Sequence, residues 1–213
     1  MKKSRLLGMA CACVLTFVTT LTHAVVLPLE SRLGGLAYYD PNLNITWLAD
    51  ANYAQSNSYD SDGLMSWEAA TTWANTLMFG GITGWRLPTI DRNNDQIIVS
   101  CEGGGSSGCE DNEYGYLYWE EGITAASPTP FINVMAGWSY WTSTEYLAFP
   151  PDVANFYFTA GGWNAILPQN DRYAMAVIND DVFASSAVPI PSAIGLFGSG
   201  LLGLIGVARK KAA

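Results

Sequence analysis

The stretch GWRLPT, residues 84–89, brings a glycine, a tryptophan, an arginine and a proline together within six positions. Arg86 stands between two apolar residues, Trp85 and Leu87. An arginine buried at this point would tie several backbone carbonyls together through its five N–H donors. We therefore interpret Arg86 as a residue that holds the fold, in preference to the alternative that it contacts a ligand.

Two elements are predicted on the N-terminal side of this stretch. Residues 36–50 form two apolar runs about Asp40-Pro41-Asn42, where proline presets φ and aspartate closes a turn, so we expect a β-hairpin. Ser66 has the character of a helix N-cap, and Gly80-Gly81 ends the helix that follows it. The helix face that we expect to be buried consists of Trp67, Ala70, Ala74, Leu77 and Met78.

Shorter elements are predicted on the C-terminal side. Residues 113–121 suggest a short helix, and residues 138–144 alternate in the manner of a strand. Residues 155–165 hold two strand pieces about Gly161-Gly162, and residues 172–178 form a final strand. Cys101 and Cys109 flank a Gly/Ser-rich loop, and in an oxidising compartment we expect them to form a structural disulfide.

The charge of the central segment is strongly negative. Residues 25–187 contain all 19 acidic residues of the chain but only four arginines, which gives a net charge of −15. Nucleic acid is excluded as a partner, because binding to phosphates needs a basic surface. The acidic surface instead favours solubility, cation binding or contact with neutral glycans.

The same segment contains neither histidine nor lysine, since the single histidine is His23 and all four lysines are terminal. This removes Ser-His-Asp and Cys-His catalysis, Schiff-base chemistry and nearly all zinc sites. We therefore predict that the domain is not an enzyme. The alternative that stays open is a carboxylate-dependent glycan hydrolase, with Glu120, Glu121 and Glu145 as its candidate acids.

One acidic stretch has the spacing of metal ligands. Asp91, Asn93 and Asp95, with Glu102 further on, resemble the ligand pattern of an EF-hand loop. Gln96 occupies the position that needs glycine for the sharp turn, and no flanking helix pair is evident. No cofactor is therefore predicted, and Ca²⁺ bound by these four residues is kept as the alternative.

The two ends of the chain have the character of targeting segments. Residues 1–24 combine a basic start, an apolar run and a small residue at Ala24, which is typical of a secretory signal peptide; a retained anchor is the alternative. Ser192–Ala208 is an uncharged run of 17 residues, about the minimum for a membrane span. The basic residues 209–211 would stay cytoplasmic, so the body of the protein is predicted to lie outside the inner membrane.

The last 26 residues resemble the PEP-CTERM class of bacterial sorting signals in its VPLPA-type variant. The match lies in Val188-Pro189-Ile190-Pro191 and in the glycine-rich span with its Arg-Lys end. The resemblance implies cleavage by an exosortase, a membrane protease, and an association with exopolysaccharide. Ile190 stands where the commonest form of the motif has glutamate. A permanent membrane anchor is the alternative.

The middle of the chain resembles a family of bacterial extracellular domains named after the C-terminal domain of the collagen-like adhesin Lcl. The resemblance is carried by Trp85-Arg86-Leu87-Pro88-Thr89 and by Tyr140-Trp141-Thr142-Ser143-Thr144. It implies an α+β, C-type-lectin-like fold with short antiparallel strands and one main helix, in which both motifs are structural. Ile178-Asn179 stands where the family often has an arginine, which argues against a site for anionic glycans.

Taken together, these features predict four segments: a signal peptide (1–24), an extracellular domain (25–183), a linker with the sorting motif (184–191) and a transmembrane sorting tail (192–213). The predicted function is a non-catalytic carbohydrate- or surface-binding module of the cell envelope or matrix. Its predicted partners are the sorting protease, an exopolysaccharide or surface glycan, and the inner membrane. A calcium-dependent lectin is a further alternative, although only Trp163-Asn164 remains of the sugar-binding triplets of that superfamily.

Overall fold

A computed structural model describes residues 25–184. The predicted signal peptide, the motif Val188–Pro191 and the transmembrane tail lie outside these residues. Within residues 25–184, no helix has both the length and the apolar character needed to cross a membrane.

The described residues form two antiparallel sheets and a few helices, an α+β architecture. In chain order the elements are β1 (Glu30–Arg32), β2 (Ala37–Asp40), β3 (Ile45–Leu48), α1 (Tyr53–Ser56), α2 (Trp67–Thr76), α3 (Glu113–Trp119), β4 (Tyr140–Glu145), β5 (Val153–Tyr157), β6 (Gly162–Ile166) and β7 (Val177–Asn179). One sheet has the order β1-β2-β3-β7 and the other the order β4-β5-β6. The predicted α+β class is confirmed.

The predicted hairpin is confirmed as β2 and β3, which pair in antiparallel register from Ala37 opposite Leu48 to Asp40 opposite Ile45. The turn forms because the Asp40 carboxylate accepts the backbone N–H groups of Asn42 and Leu43, at 2.9 and 3.0 Å. Aspartate side chains stabilise turns in this way by bonding to backbone amides two and three positions ahead.

The predicted main helix is α2, and the Ser66 hydroxyl caps it by accepting the N–H of Ala69 at 3.4 Å. Ala70, Trp73 and Ala74 are buried along its inner face. Met78 was expected on this face, but its side chain is 69% exposed. The prediction was wrong at that residue because the helix ends at Thr76, and an extended backbone at Leu77 turns the chain away.

The final strand is shorter than predicted, because only residues 177–179 form a continuous ladder with β3. The preceding residues make single bridges instead: Arg172 pairs with Met65, and Tyr173 pairs in parallel with Tyr140 of β4. This segment therefore connects the two sheets. The predicted strands about Gly161-Gly162 are confirmed as β5 and β6.

Most of the eight tryptophans serve the core, as expected. The side chains of Trp47, Trp73, Trp85 and Trp141 are almost completely buried. Trp138 is 51% exposed, and Trp67, Trp119 and Trp163 are half-buried against the core. Trp119 and Trp163 both lie at one groove, which makes them relevant to binding.

Candidate functional site

A polar cleft of about 790 Å³ opens between the two sheets' ends and the segment that follows the GWRLPT stretch. The turn before β3, the end of β4 and the end of β7 form its sides. Its lining consists mainly of amide, hydroxyl and carboxylate groups, represented by Asn44, Asn94, Gln96, Ser143, Glu145 and Asp180. The lining therefore offers hydrogen-bond donors and acceptors in close succession.

The floor of the cleft is an arginine–carboxylate pair. Arg86 donates to both oxygens of Glu113, at 2.7 and 2.8 Å, and Glu113 is fully buried. The same guanidinium donates to the backbone carbonyl of Leu87 and to the side-chain amide oxygen of Asn179. Arg86 was expected to tie carbonyls together; its principal partner is a buried carboxylate.

Arg92, the other cation of the cleft, is also occupied. Its Nε lies 3.4 Å from the Glu113 carboxylate, and its terminal nitrogens donate to the carbonyls of Glu110 and Leu43. The Glu113 carboxylate additionally accepts the backbone N–H of Thr89 at 2.8 Å. Both arginines therefore neutralise a buried acid, and neither presents a free guanidinium to a ligand.

The two motifs that carry the family resemblance lie against each other at the wall of the cleft. The hydroxyl oxygens of Thr89 and Thr144 are 2.9 Å apart, and Thr144 also accepts the backbone N–H of Ile90. The N–H of Ser143 donates to the carbonyl of Pro88 at 2.8 Å. These contacts give both motifs a structural position, with Ser143 and Thr144 also facing the cleft.

The remaining members of the motifs belong to the core. Trp85 and Leu87 are buried, and the buried Trp141 donates its indole N–H to the carbonyl of Met65 at 2.8 Å. The hydroxyl of Tyr140 accepts the N–H of Met135. The Thr142 hydroxyl donates to the carbonyl of Ala154.

The acidic stretch forms a compact loop beside the cleft. Asp91, Asp95 and Asp111 each place a carboxylate oxygen within 4.8 Å of the others. Asn93 joins them, because its N–H donates to Asp111 and its side-chain amide donates to Asp95. Glu102 is not in this group; it lies exposed in the loop that the disulfide closes. Asp111 supplies the third carboxylate, and the sequence spacing gave no sign of it.

The predicted disulfide between Cys101 and Cys109 is present. Both half-cystines are buried, and Cys109 begins the turn that leads into α3. The bridge therefore fixes the loop that precedes Asp111 and Glu113.

The acids considered for hydrolysis lie in separate places. Glu145 lines the polar cleft, whereas Glu120 and Glu121 line a different depression next to Val26–Leu29. Glu121 lies beside the buried Asp40 and accepts a hydrogen bond from Asn42. Burial, and then the charge of Asp40, raises the pKa of Glu121 to about 8. Burial also raises the pKa of Asp40.

No family model matches the chain, and comparisons with curated proteins and with solved structures found no match. The resemblances to the Lcl C-terminal domain and to PEP-CTERM tails stay predictions that rest on the quoted motifs.

Several residues of the site were not found by sequence reasoning, and Glu113, Asp111 and Asn179 are the most consequential of them. Glu113 is one of many acids in the chain, and nothing in its local sequence marks it as buried. Asn179 was noticed only as a departure from the family pattern. It accepts hydrogen bonds from Arg86, at 2.8 Å from one terminal nitrogen.

Proposed function

We propose that residues 25–183 form a non-catalytic, C-type-lectin-like module that binds a neutral carbohydrate in the polar cleft. The single observation that supports this is the lining of the cleft, in which amides, hydroxyls and carboxylates alternate as donors and acceptors. Sugar hydroxyls both donate and accept hydrogen bonds, so a lining of this kind matches them.

A neutral carbohydrate is preferred to a sulfated or uronic one on electrostatic grounds. Arg86 and Arg92 are both engaged with Glu113, while Glu145 and Asp180 contribute negative charge to the lining. A polyanion would meet repulsion from the net charge of −15 on residues 25–187.

We further propose that the protein is exported and sorted at the cell envelope. The signal-like residues 1–24 and the motif Val188–Pro191 support an inner-membrane precursor that an exosortase cleaves before release to the envelope or matrix. The intact mass of the protein isolated from its native envelope tests this. We expect a chain that ends near Pro191, and a mass that includes Ala213 would leave a permanent anchor instead.

Calcium-dependent binding is a second candidate, favoured by the carboxylate group beside the cleft. Asp91 lines the cleft and also belongs to the group with Asp95 and Asp111, so a cation held there would lie next to a bound sugar. Oxygen ligands of this type suit Ca²⁺. The carboxylates of Asp91 and Asp95 also accept backbone N–H groups of their own loop, from Asp95, Gln96 and Ile97, as aspartates in ordinary turns do.

The test is binding of the exported protein to the polysaccharide purified from cultures of its own host, with heparin as the anionic comparison. We expect binding to the neutral fraction and about tenfold weaker binding for Glu145→Ala, which removes a charged acceptor from the cleft. Glu68→Ala, an exposed glutamate on α2 outside the cleft, is the matched control and should bind as the parent does.

Two further readouts of the same experiment separate the alternatives. Binding that disappears in EDTA and returns with CaCl₂ would establish the calcium-dependent form. New reducing ends that vanish in Glu145→Gln would replace the binding module by a hydrolase. Preferential binding to heparin would contradict the neutral-carbohydrate proposal.

A further inference from the structure

A second, smaller groove lies beside the disulfide and differs from the polar cleft in its aromatic character. Its volume is about 340 Å³, and it runs between the start of the disulfide loop, α3 and the β5–β6 turn. Two half-buried tryptophans, Trp119 and Trp163, line it. Ser100 and Glu102 add polar groups at its edge.

The tryptophan on the α3 side is held in place by its surroundings. The Trp119 indole N–H donates to the carbonyl of Gly161 at 2.8 Å. Gly161 has a φ of +67°, and a Cβ there would collide with the Tyr118 ring and lie 2.9 Å from the Trp119 ring. Only glycine lets the β5–β6 turn approach both rings so closely, so the Trp119 face is preorganised.

The aromatic surface continues out of the groove onto the β4–β5 loop. Tyr146 packs edge-on against Trp163 with ring centroids 5.4 Å apart, and its ring lies 5.8 Å from that of Phe149. Phe149 is 67% exposed. Backbone hydrogen bonds between Tyr146 and Asp152 and between Asp152 and Phe149 close the loop, so these rings are presented on a defined support.

The aromatic surface also meets the polar cleft. Leu147 lines the cleft and is 57% exposed, and its neighbour Tyr146 contacts Trp163 in the groove. The end of the β4–β5 hairpin therefore separates the two sites by the width of a single loop.

We propose that the aromatic groove, which Trp119 and Trp163 line and which Tyr146 and Phe149 extend at its mouth, is a second carbohydrate subsite that stacks a pyranose ring of the polysaccharide chain held in the polar cleft. A pyranose has an apolar C–H face and a rim of hydroxyls. The aromatic rings stack on the C–H face, the Ser100 hydroxyl can donate or accept at the rim, and the Glu102 carboxylate accepts there. This inference rests on the proposed function, because the polysaccharide must also be bound in the polar cleft.

The same surface does not suit a membrane or an apolar peptide, two other partners that exposed aromatic side chains commonly bind. An anionic membrane surface is repelled by the net charge of residues 25–187, which contain no lysine to offset it. Exposed apolar side chains of this kind on an acidic surface mark an interaction site. The polar groups within the groove distinguish a glycan from an apolar peptide as its occupant, because a peptide side chain would leave them unpaired.

The test adds side-chain bulk at the lining of the groove in one variant and removes an exposed ring in another. A Cβ at Gly162, which lines the groove, would meet no atom within 4 Å, and its φ lies outside the left-handed region. Gly162→Val is therefore expected to fold, since valine favours the strand that begins there. Gly137→Val is the matched control: it is an exposed glycine with equally open surroundings, outside both sites. Phe149→Ala removes the most exposed ring independently.

The ligands are the host polysaccharide and the disaccharides obtained from it by partial hydrolysis. We expect Gly162→Val and Phe149→Ala to weaken binding of the long chain about tenfold, with disaccharide binding in the cleft and the Gly137→Val control unchanged. If Glu145→Ala weakens the long chain while both groove variants bind it normally, the subsite is wrong and the proposed function stands. Equal losses for disaccharide and long chain would also refute a separate subsite. If the parent protein binds neither ligand, the proposed function itself fails, and the subsite with it.

Discussion

Arg86 and Glu113 form a buried pair in which the planar guanidinium faces both oxygens of one carboxylate. The geometry is bidentate, which an arginine can provide and a lysine cannot. Glu113 has no solvent contact, so its charge depends on Arg86, on Arg92 and on the N–H of Thr89. The GWRLPT stretch therefore stabilises the fold by compensating an acid that lies 27 residues further along the chain.

Replacing Arg86 by methionine should leave Glu113 buried with only the longer contact to Arg92 and the backbone N–H of Thr89. We expect the free energy of unfolding to fall by about 3 kcal/mol, somewhat less than for a fully buried pair because the Arg86 side chain is 28% exposed. Urea denaturation measures this. Arg172→Met is the control, because that guanidinium lies over the Trp138 ring, and it should cost less than about 1 kcal/mol.

A second variant distinguishes a structural arginine from a ligand contact. Adding Glu113→Gln to Arg86→Met removes the buried charge and keeps an acceptor for Thr89, so part of the stability should return. If Arg86→Met left stability intact but abolished glycan binding, the structural interpretation of Arg86 would be wrong.

Short sequence motifs predicted the secondary-structure elements that are stabilised by contacts between residues close in sequence. The Asp40 turn and the Ser66 cap are made by side chains bonding to amides two or three residues away, and both were found from the sequence. The length of the last strand was not found, because Arg172 bridges to Met65, which lies outside both sheets, and Tyr173 bridges to Tyr140 of the second sheet. A run of apolar residues indicates burial there but not which neighbour supplies the hydrogen bonds.

The candidate site was only partly predictable for the same reason. Asp91, Asn93 and Asp95 are close in sequence and were expected to act together, and they do lie in one loop. Asp111 and Glu113 reach the same region because the disulfide turn and α3 return the chain to it. Such an approach depends on topology, which no short motif encodes.

In the molecule as a whole, the many acidic residues lie not only on the surface, and two of them, Asp40 and Glu121, meet inside the fold. Asp40 belongs to β2, and Glu121 follows α3, so the contact between their carboxyl groups joins the first sheet to the helical side. The Oδ2 atom of Asp40 is buried without a hydrogen-bond partner in the described chain. Two carboxylates so placed favour sharing a proton over carrying two charges.

The stability of the protein should therefore decrease as pH rises from about 4.5 to about 8. Burial and the charge of Asp40 raise the pKa of Glu121 to about 8, so over this range the folded protein keeps a proton that the unfolded chain has lost. In this range the unfolded chain binds fewer protons than the folded protein, so the free energy of unfolding falls as pH rises, by at most about 1.4 kcal/mol per pH unit.

Urea titrations at pH 5, 7 and 9 measure this slope, that is, how steeply the free energy of unfolding depends on pH. Glu121→Gln cannot ionise and should flatten it, whereas the neighbouring Glu120→Gln keeps the Asp40 contact and should retain it. A parent protein as stable at pH 9 as at pH 5, or a slope that survives Glu121→Gln, would show that this pair does not hold the proton.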